Sequence, residues 1–462
     1  MGLRFGLAKA TGAVLTWGLR NVLHRPAGNM PGKIALYVDA DLIGHLSARL
    51  SKGSIVVVGT NGKTTVTNLL ADSIEAAGMT VACNRSGANL DSGVATTLLQ
   101  TPRADWGVFE TDELWMARIL PQLQADYVVL LNLFRDQEDR MGGMGRIRES
   151  IVGALSASPR TTLVYTADDP QCAAIAAAVK NPCIAVGVAH DMDLAKLGAL
   201  ESEACPQCGA PLVYQVRQYD HLGEYRCDAC DFARPSLDVA AQEVRLGADG
   251  LSFVATCSEG LAAKAGSGAS EAACAAPFQE SVRYAQGAAY LVYNLLSAFV
   301  AARLTGVSPD AFQRAADAFD PKNGRLQRYA IGERSLLLNL AKNPAGFNEN
   351  LRLVLADEAP KAVAFFVNDK EGDGRDVSWL ADVDFETLAA ASSAGLRVFA
   401  GGLRKEDLRD RLARAGLDAQ LVDGIEDVLS ALPESGLAEN AGVYVIANYT
   451  ALPEVKVVLD RL

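Results

Sequence analysis

Short apolar runs suited to buried strands alternate, along most of the chain, with longer stretches whose apolar positions recur at helical spacing. The first series of runs is Ile55 to Val58, Val108 to Glu110, Tyr127 to Leu133, Thr161 to Thr166 and Cys183 to Val188. None shows the polar alternation of a half-solvated strand, so both faces are expected to be covered. Helical segments between them predict a parallel sheet with crossover helices. A second series begins after Phe319: Ser335 to Leu340, Ala362 to Asn368, Leu396 to Gly401 and Val443 to Asn448. The fold class is therefore α/β, with a nucleotide-binding unit over residues 46–319 and a Rossmann-like C-terminal unit over 320–462. Residues 1–45 read as an N-terminal helix and linker, with a short strand at Ile34 to Val38.

The sharpest local signal follows the first run. Gly59, Thr60, Asn61, Gly62, Lys63, Thr64 and Thr65 form a glycine-bounded loop between a strand and a helix. Free N–H groups and the positive end of the helix dipole at such a start favour phosphate. Lys63 is placed to meet the β and γ phosphates, and the hydroxyl of Thr64 or Thr65 a magnesium ion. Only Thr60 and Asn61 separate the two glycines, so the loop is shorter than the general phosphate-binding pattern. ATP and Mg2+ are the expected ligands.

Cysteine spacing supplies the second signal. Cys205 and Cys208, then Cys227 and Cys230, form two C-x2-C pairs inside residues 201–235. That spacing predicts a zinc ribbon inserted in the nucleotide-binding unit, and four thiolates leave the metal no open position, making the Zn2+ structural. The other five cysteines, Cys83, Cys172, Cys183, Cys257 and Cys274, are scattered as small core or surface residues.

Length and charge narrow the classes that remain. A chain of 462 residues exceeds a single core. Its formal net charge of -12 argues against a nucleic-acid binder. Unpaired cysteines point to a reducing cytoplasm. Residues 1–25 hold Arg4, Lys9, Arg20 and Arg25 and no acid, in a stretch too interrupted to span a bilayer. Two readings stand: a helix packed on the neighbouring unit, or a basic helix touching a membrane surface or a lipid-linked substrate.

Carboxylates gather where strands end, the edge at which open α/β sheets bind ligands. Glu110 closes one strand, with Asp112 and Glu113 after it; Asn132 closes another, with Asp136, Asp139 and Arg140 after it. Further on, Asn294 interrupts an apolar helix from Ala289 to Leu304, and Arg325 and Arg328 lie at the boundary between the two units. Two polar loops follow, Leu340 to Asn350 and Val367 to Glu386. The second gathers Asp369, Asp373, Asp376, Asp382 and Asp384 around Trp379, as a surface covered by something else would.

Taken together, GTNGKTT, the strand-end Glu110, the Asn132 to Arg140 stretch, Asn294, the boundary arginine and the Rossmann-like end resemble the Mur ligase superfamily. The zinc-ribbon insert, LAKNPAGFN and the Asp373 to Glu386 loop are similar to its MurT family. The resemblance implies a Mur-ligase-like ATPase unit. The implied reaction is ATP-dependent amidation of the α-carboxylate of D-glutamate in the lipid II stem peptide, through an acyl phosphate that ammonia displaces. It implies that Lys63 neutralises charge as the phosphoryl group moves, that Thr64 and Glu110 hold magnesium, that Asn294 meets the adenine and that Arg325 meets phosphate.

Asp136 and Gln137 depart from the Asp-His of amino-acid-adding members, and no lysine lies between Thr64 and Val179 to serve as their carbamoylated lysine. The first leaves that histidine's role near the second metal without a counterpart, and the second agrees with ammonia as the nucleophile. The cysteines outside the ribbon and the histidines His24, His45, His190 and His221 suggest no glutaminase centre, so a GatD-like glutaminase subunit is the expected partner. The resemblance implies that one aspartate of the DVSW loop completes that partner's Cys-His pair, with Asp376 the candidate and Asp373 the alternative. Two other readings are a stand-alone Mur or folylpolyglutamate-type ligase, and a zinc-ribbon scaffold whose nucleotide loop is a switch.

Overall fold

The computed structural model describes all residues except 1, 24–27, 135–142, 195–196, 198–202, 248–249, 262–263, 265–275, 321–323 and 392–394. Asp136, Gln137, Asp139, Arg140, His24, Arg25 and Cys274 therefore lie outside the described residues, as does most of the Ala/Gly/Ser-rich stretch after Leu261.

Strands β1 (Leu50–Val58), β2 (Val81–Cys83), β3 (Ala104–Glu110), β4 (Tyr127–Leu130), β5 (Thr162–Thr166) and β6 (Cys183–Val188) run parallel. A separate hairpin, β7 (Leu212–Tyr219) and β8 (Leu222–Cys227), precedes β9 (Val239–Gly247), β10 (Gly250–Cys257) and β11 (Phe278–Tyr284). The main sheet has the order β11-β10-β9-β6-β5-β4-β1-β3-β2, with β10 running antiparallel to both of its neighbours, β9 and β11. Ile55 and Val57 face one core layer, Val56 and Val58 the other, all fully buried. That two-sided burial is why the run carries no polar alternation. Because β3 and β4 flank β1 on opposite sides, the chain opens a crevice at the carboxyl ends of these three strands, the place where doubly wound sheets bind ligands.

Seven helices matter to the site and its surroundings: α1 (Leu3–Asn21), α2 (Met30–Val38), α3 (Lys63–Ala76), α4 (Asp91–Gln100), α5 (Pro170–Ala178), α6 (Ala289–Leu304) and α7 (Pro344–Ala356). Helix α6 is apolar around its whole circumference because it lies in the core: of its residues only Tyr290 and Arg303 are not buried.

The strand expected at Ile34 to Val38 is instead the second half of α2. A compact apolar run cannot by itself be told from a buried helical segment. Here Pro31 in the first turn favours helix. Gly32 then lets α2 press onto α4, where a Cβ would meet the Ser92 carbonyl at 2.0 Å. Its N–H donates to Thr96 Oγ1 at 2.8 Å.

The second sheet comprises β12 (Gln327–Ile331), β13 (Arg334–Leu340), β14 (Lys361–Phe366), β15 (Leu396–Gly401), β16 (Ala419–Leu421) and β17 (Gly442–Ala447). Its order is β12-β13-β17-β14-β15-β16, parallel apart from β12. Its carboxyl edge faces that of the first sheet across a cavity of about 870 Å³ lined by residues of both.

Candidate functional site: a phosphate loop between two sheets

The loop after β1 is clasped by the segment after β4. Asn132 accepts from the Asn61 N–H at 2.8 Å and donates to the Asn61 carbonyl at 3.0 Å. Its own carbonyl takes the Thr60 N–H at 2.8 Å, and Thr60 Oγ1 accepts the Phe134 N–H at 3.0 Å. This clasp requires contact between backbones. Gly59, at φ +140°, would place a Cβ 2.9 Å from the Asn132 carbonyl oxygen, and Gly62, at φ +88°, one 2.3 Å from Asn294 Oδ1. Both glycines are thus demanded by φ and by space.

Gly62 is the N-cap of α3, so the unpaired N–H groups of the first turn open into the cavity. Lys63 folds back over the loop, with Nζ on the Gly59 and Thr60 carbonyls and 3.5 Å from Glu113 Oε1. Thr64 Oγ1 donates to Glu110 Oε2 at 2.8 Å. Glu110 is held by Asn84, which accepts its N–H at 2.8 Å and donates to its carbonyl at 2.9 Å. Burial, reinforced by the neighbouring Glu113, raises the Asp112 carboxyl above its ordinary range. A hydroxyl beside a buried carboxylate is an all-oxygen donor set, which fits magnesium.

Two buried amides on the cavity wall, Asn294 Nδ2 and Asn343 Nδ2, have no partner among the described residues. A buried donor left unpaired costs about 1–3 kcal/mol, so these point to a polar ligand. Arg325 lines the same cavity, as does Glu349 of helix α7 in the C-terminal unit. Burial pushes the Glu349 carboxyl up to about 7, against the lowering effect of Arg352 at 2.8 Å.

The four cysteines converge as the spacing predicts. Their Sγ atoms lie within 4.8 Å of one another, with Cys205 to Cys230 at 3.7 Å and Cys208 to Cys227 at 3.5 Å. A tetrahedron with bonds of about 2.3 Å to zinc has edges of about 3.8 Å. Gly209, at φ +79°, closes one knuckle, its N–H on the Cys205 carbonyl at 2.9 Å.

The far end of this hairpin reaches the nucleotide loop, a connection that sequence reasoning missed. Tyr219 joins the cavity wall and stacks on Phe134 with centroids 6.3 Å apart and planes at 17°. His221 is buried between two carboxylates, Nδ1 at 2.8 Å from Asp220 and Nε2 at 3.1 Å from Asp169. Asp169 also accepts the Leu133 N–H at 2.7 Å and caps α5 through the N–H groups of Gln171 and Cys172. Its neighbour Asp168 takes the Tyr293 hydroxyl of α6 at 2.7 Å and Arg234 at 3.0 Å. Adjacent acids just beyond a strand, Asp168 and Asp169 after Thr166, were the available signal.

Burial opposes the imidazolium of His221, but Asp169 and Asp220 outweigh it and hold its pKa up to about 10. An unfolded histidine titrates near 6.5. The native state therefore binds the extra proton between those values, and its stabilisation, complete below about 6.5, is lost as pH rises through about 10. Thermal melts from pH 6.5 to 10 are expected to show falling stability that His221→Ala flattens; an unchanged slope in the variant would contradict this.

The loop aspartates separate cleanly. Asp373 is buried and accepts from the Thr450 N–H at 2.8 Å and from its hydroxyl. Asp376 is exposed, and its hydrogen bonds from the Ser378 N–H and hydroxyl, both 2.8 Å, hold its carboxyl below the usual range.

Two family models match this chain: the Mur ligase middle domain over residues 57–204 and the MurT ligase C-terminal domain over residues 340–452. Together they span more than half of it. The subunit MurT of the glutamine-hydrolysing lipid II isoglutaminyl synthase from Streptococcus pneumoniae is 29% identical, over 93% of this chain and 92% of its own. The chain belongs to the MurT family of Mur ligases. The Staphylococcus aureus (strain COL) MurT is 28% identical over 94% and 93% of the two chains. A pseudomurein peptide ligase from Methanothermus fervidus shares the fold, with a TM-score of 0.65 at 17% identity, covering 90% of this chain and 80% of its own. Within the MurT family frame, the phosphate loop falls in the matched middle domain and the Asp376 loop in the matched C-terminal domain.

Proposed function

We propose that this chain is the synthetase subunit of a two-part amidotransferase that converts the D-glutamate α-carboxylate of the lipid II stem peptide to D-isoglutamine. The supporting observation is the phosphate loop, clasped by Asn132 and facing a second sheet across one cavity, in a chain that matches MurT subunits over nearly its full length. In this reading the loop from Gly59 to Thr65 holds the triphosphate through the unpaired N–H groups at the start of α3, and Asn294 offers its unpaired amide to the adenine. Lys63 leaves the loop carbonyls to follow the γ phosphoryl group onto the substrate carboxylate, with Arg325 on the phosphates. Thr64 and Glu110 hold magnesium, which when bound withdraws charge from the phosphate oxygens. Ammonia attacks the acyl carbon, phosphate departs, and the surplus proton is lost.

The ammonia comes from a GatD-like glutaminase whose Cys-His pair Asp376 completes; Asp373 is unavailable because Thr450 occupies it. The four cysteines hold a structural zinc ion, and the enzyme works in the cytoplasm at the inner face of the membrane that carries its substrate. The test is amidation of a lipid II analogue with ATP and magnesium, driven by ammonium chloride or by glutamine. The chain alone is expected to form product only with ammonium, and the complex with either. Asp376→Asn in the complex should lose the glutamine-driven reaction and keep the ammonium-driven one. No product from ammonium, with ATP bound, would overturn the reading.

A further inference from the structure

Of the fourteen large apolar side chains exposed among the described residues, nine lie in the first 37: Leu3, Leu7, Val14, Trp17, Val22, Leu23, Met30, Ile34 and Tyr37. They are not scattered. At about 100° per residue, Leu3, Leu7, Val14 and Trp17 fall within about 80° of arc on α1. The buried residues of the helix, Phe5, Ala8, Gly12 and Leu19, occupy the opposite side. There Gly12 presses on α4, where an added Cβ would stand 2.6 Å from Leu99 Cδ1. Helix α1 is thus apolar on two faces, and only one is packed. On α2, which packs against α1, Ile34 and Tyr37 are also exposed, Tyr37 by 82%.

Charge is segregated in the same place. The chain carries a net -12, yet residues 1–38 contain five basic residues and no acid, the first being Asp39. On α1, exposed Arg4 flanks the apolar stripe on one side, and exposed Lys9 and Arg20 flank it on the other; Lys33 is exposed on α2. Long basic side chains beside an exposed apolar stripe can extend to phosphate headgroups while the stripe enters the acyl boundary. No described helix is long and apolar enough to cross a membrane, so such a helix lies in the plane of the interface.

We propose that the outer face of α1 and α2 is a docking surface for an anionic lipid bilayer. This deepens the reading of a lipid-linked substrate by naming the element that seats the enzyme, and it stands on separate observations. Helix α4, on which both helices rest, begins at Asp91, two residues beyond Asn89 of the cavity wall. The docked face is therefore tied through one helix to the wall of the reaction cavity.

The experiment is co-sedimentation of the full chain with phosphatidylcholine vesicles, with and without phosphatidylglycerol and without any lipid II, so that its failure is separable from failure of the amidation reading. Binding is expected only with phosphatidylglycerol and should weaken as salt is raised. The pair Leu7→Glu and Trp17→Glu, and separately Arg4→Glu and Lys9→Glu, should each weaken it about tenfold or more, with melting temperature and ATP binding unchanged. Absence of vesicle binding by the unaltered chain, or undiminished binding by both variants, would overturn the proposal. So would stripe variants that release a glutaminase subunit from the complex, because the face would then belong to a protein partner.

Discussion

Lys63→Ala is expected to lower ammonium-driven amidation by about 10²- to 10³-fold, the loss typical of removing one preorganised group aimed at developing charge. The reason lies in the surroundings of Nζ. It rests on the Gly59 and Thr60 carbonyls, and Glu110, Asp112 and Glu113 share its side of the cavity. Truncation leaves buried Glu113 without the ammonium 3.5 Å away and leaves the phosphates facing three carboxylates. Lys63→Arg should rescue little, because a planar guanidinium cannot fold over the loop as a compact ammonium does. Product formation at saturating ATP decides the matter: a loss under tenfold would remove Lys63 from phosphoryl transfer.

His221→Ala is expected to destabilise the first sheet and its hairpin by about 3–5 kcal/mol, the cost of leaving the partner of a buried ion pair uncompensated. Asp169 would keep its charge in a site it shares with the Leu133 N–H and the first turn of α5, while Phe134 would lose the imidazole that meets it edge-on at 4.7 Å. Because Phe134 also binds Thr60 and stacks on Tyr219, weaker ATP binding should accompany the fall in stability. Denaturant melts and nucleotide titration on the same variant test both parts. A variant as stable as the parent would show that the hairpin is merely appended. Asp169→Asn together with His221→Ala should be less damaging than the sum of the single changes, since no unpaired charge is left.

The phosphate loop was legible because its chemistry is local. Strand, glycines, lysine and helix start are covalent neighbours, and the positive φ values of Gly59 and Gly62 belong to the loop itself, although the groups that leave no room for a Cβ there, Asn132 and Asn294, come from distant segments. The cysteine ribbon was legible for the same reason, since each knuckle closes within about five residues and the pair spacing is that of a four-thiolate site. Ile34 to Val38 was misread because a five-residue apolar run suits a strand and a helix equally well. The helix is favoured by Pro31 and by the contact of Gly32 with α4, more than fifty residues away.

Side-chain partnerships between distant segments carried no local mark. His221 and Asp169 are 52 residues apart, and Tyr293 and Asp168 are 125 apart. Nothing in a lone histidine announces an ion pair until the hairpin is folded back onto the strand end. Asp373 and Asp376 look equivalent in sequence, three residues apart in one acidic loop. Only the approach of Thr450 from beyond β17 buries one and leaves the other exposed.

Residue order along the chain thus determined what depends on backbone conformation and short-range spacing: the α/β class, the phosphate loop, the strand-end Glu110 and the four-thiolate cluster. Tertiary structure alone decided what depends on which surfaces meet. It joined the ribbon to the nucleotide site, buried Asp373 while leaving Asp376 exposed, and covered one apolar face of α1 while leaving the other bare. The physical reason is that burial and ion pairing are properties of the environment around a group, and that environment is assembled from segments whose separation along the chain conveys nothing about their separation in space.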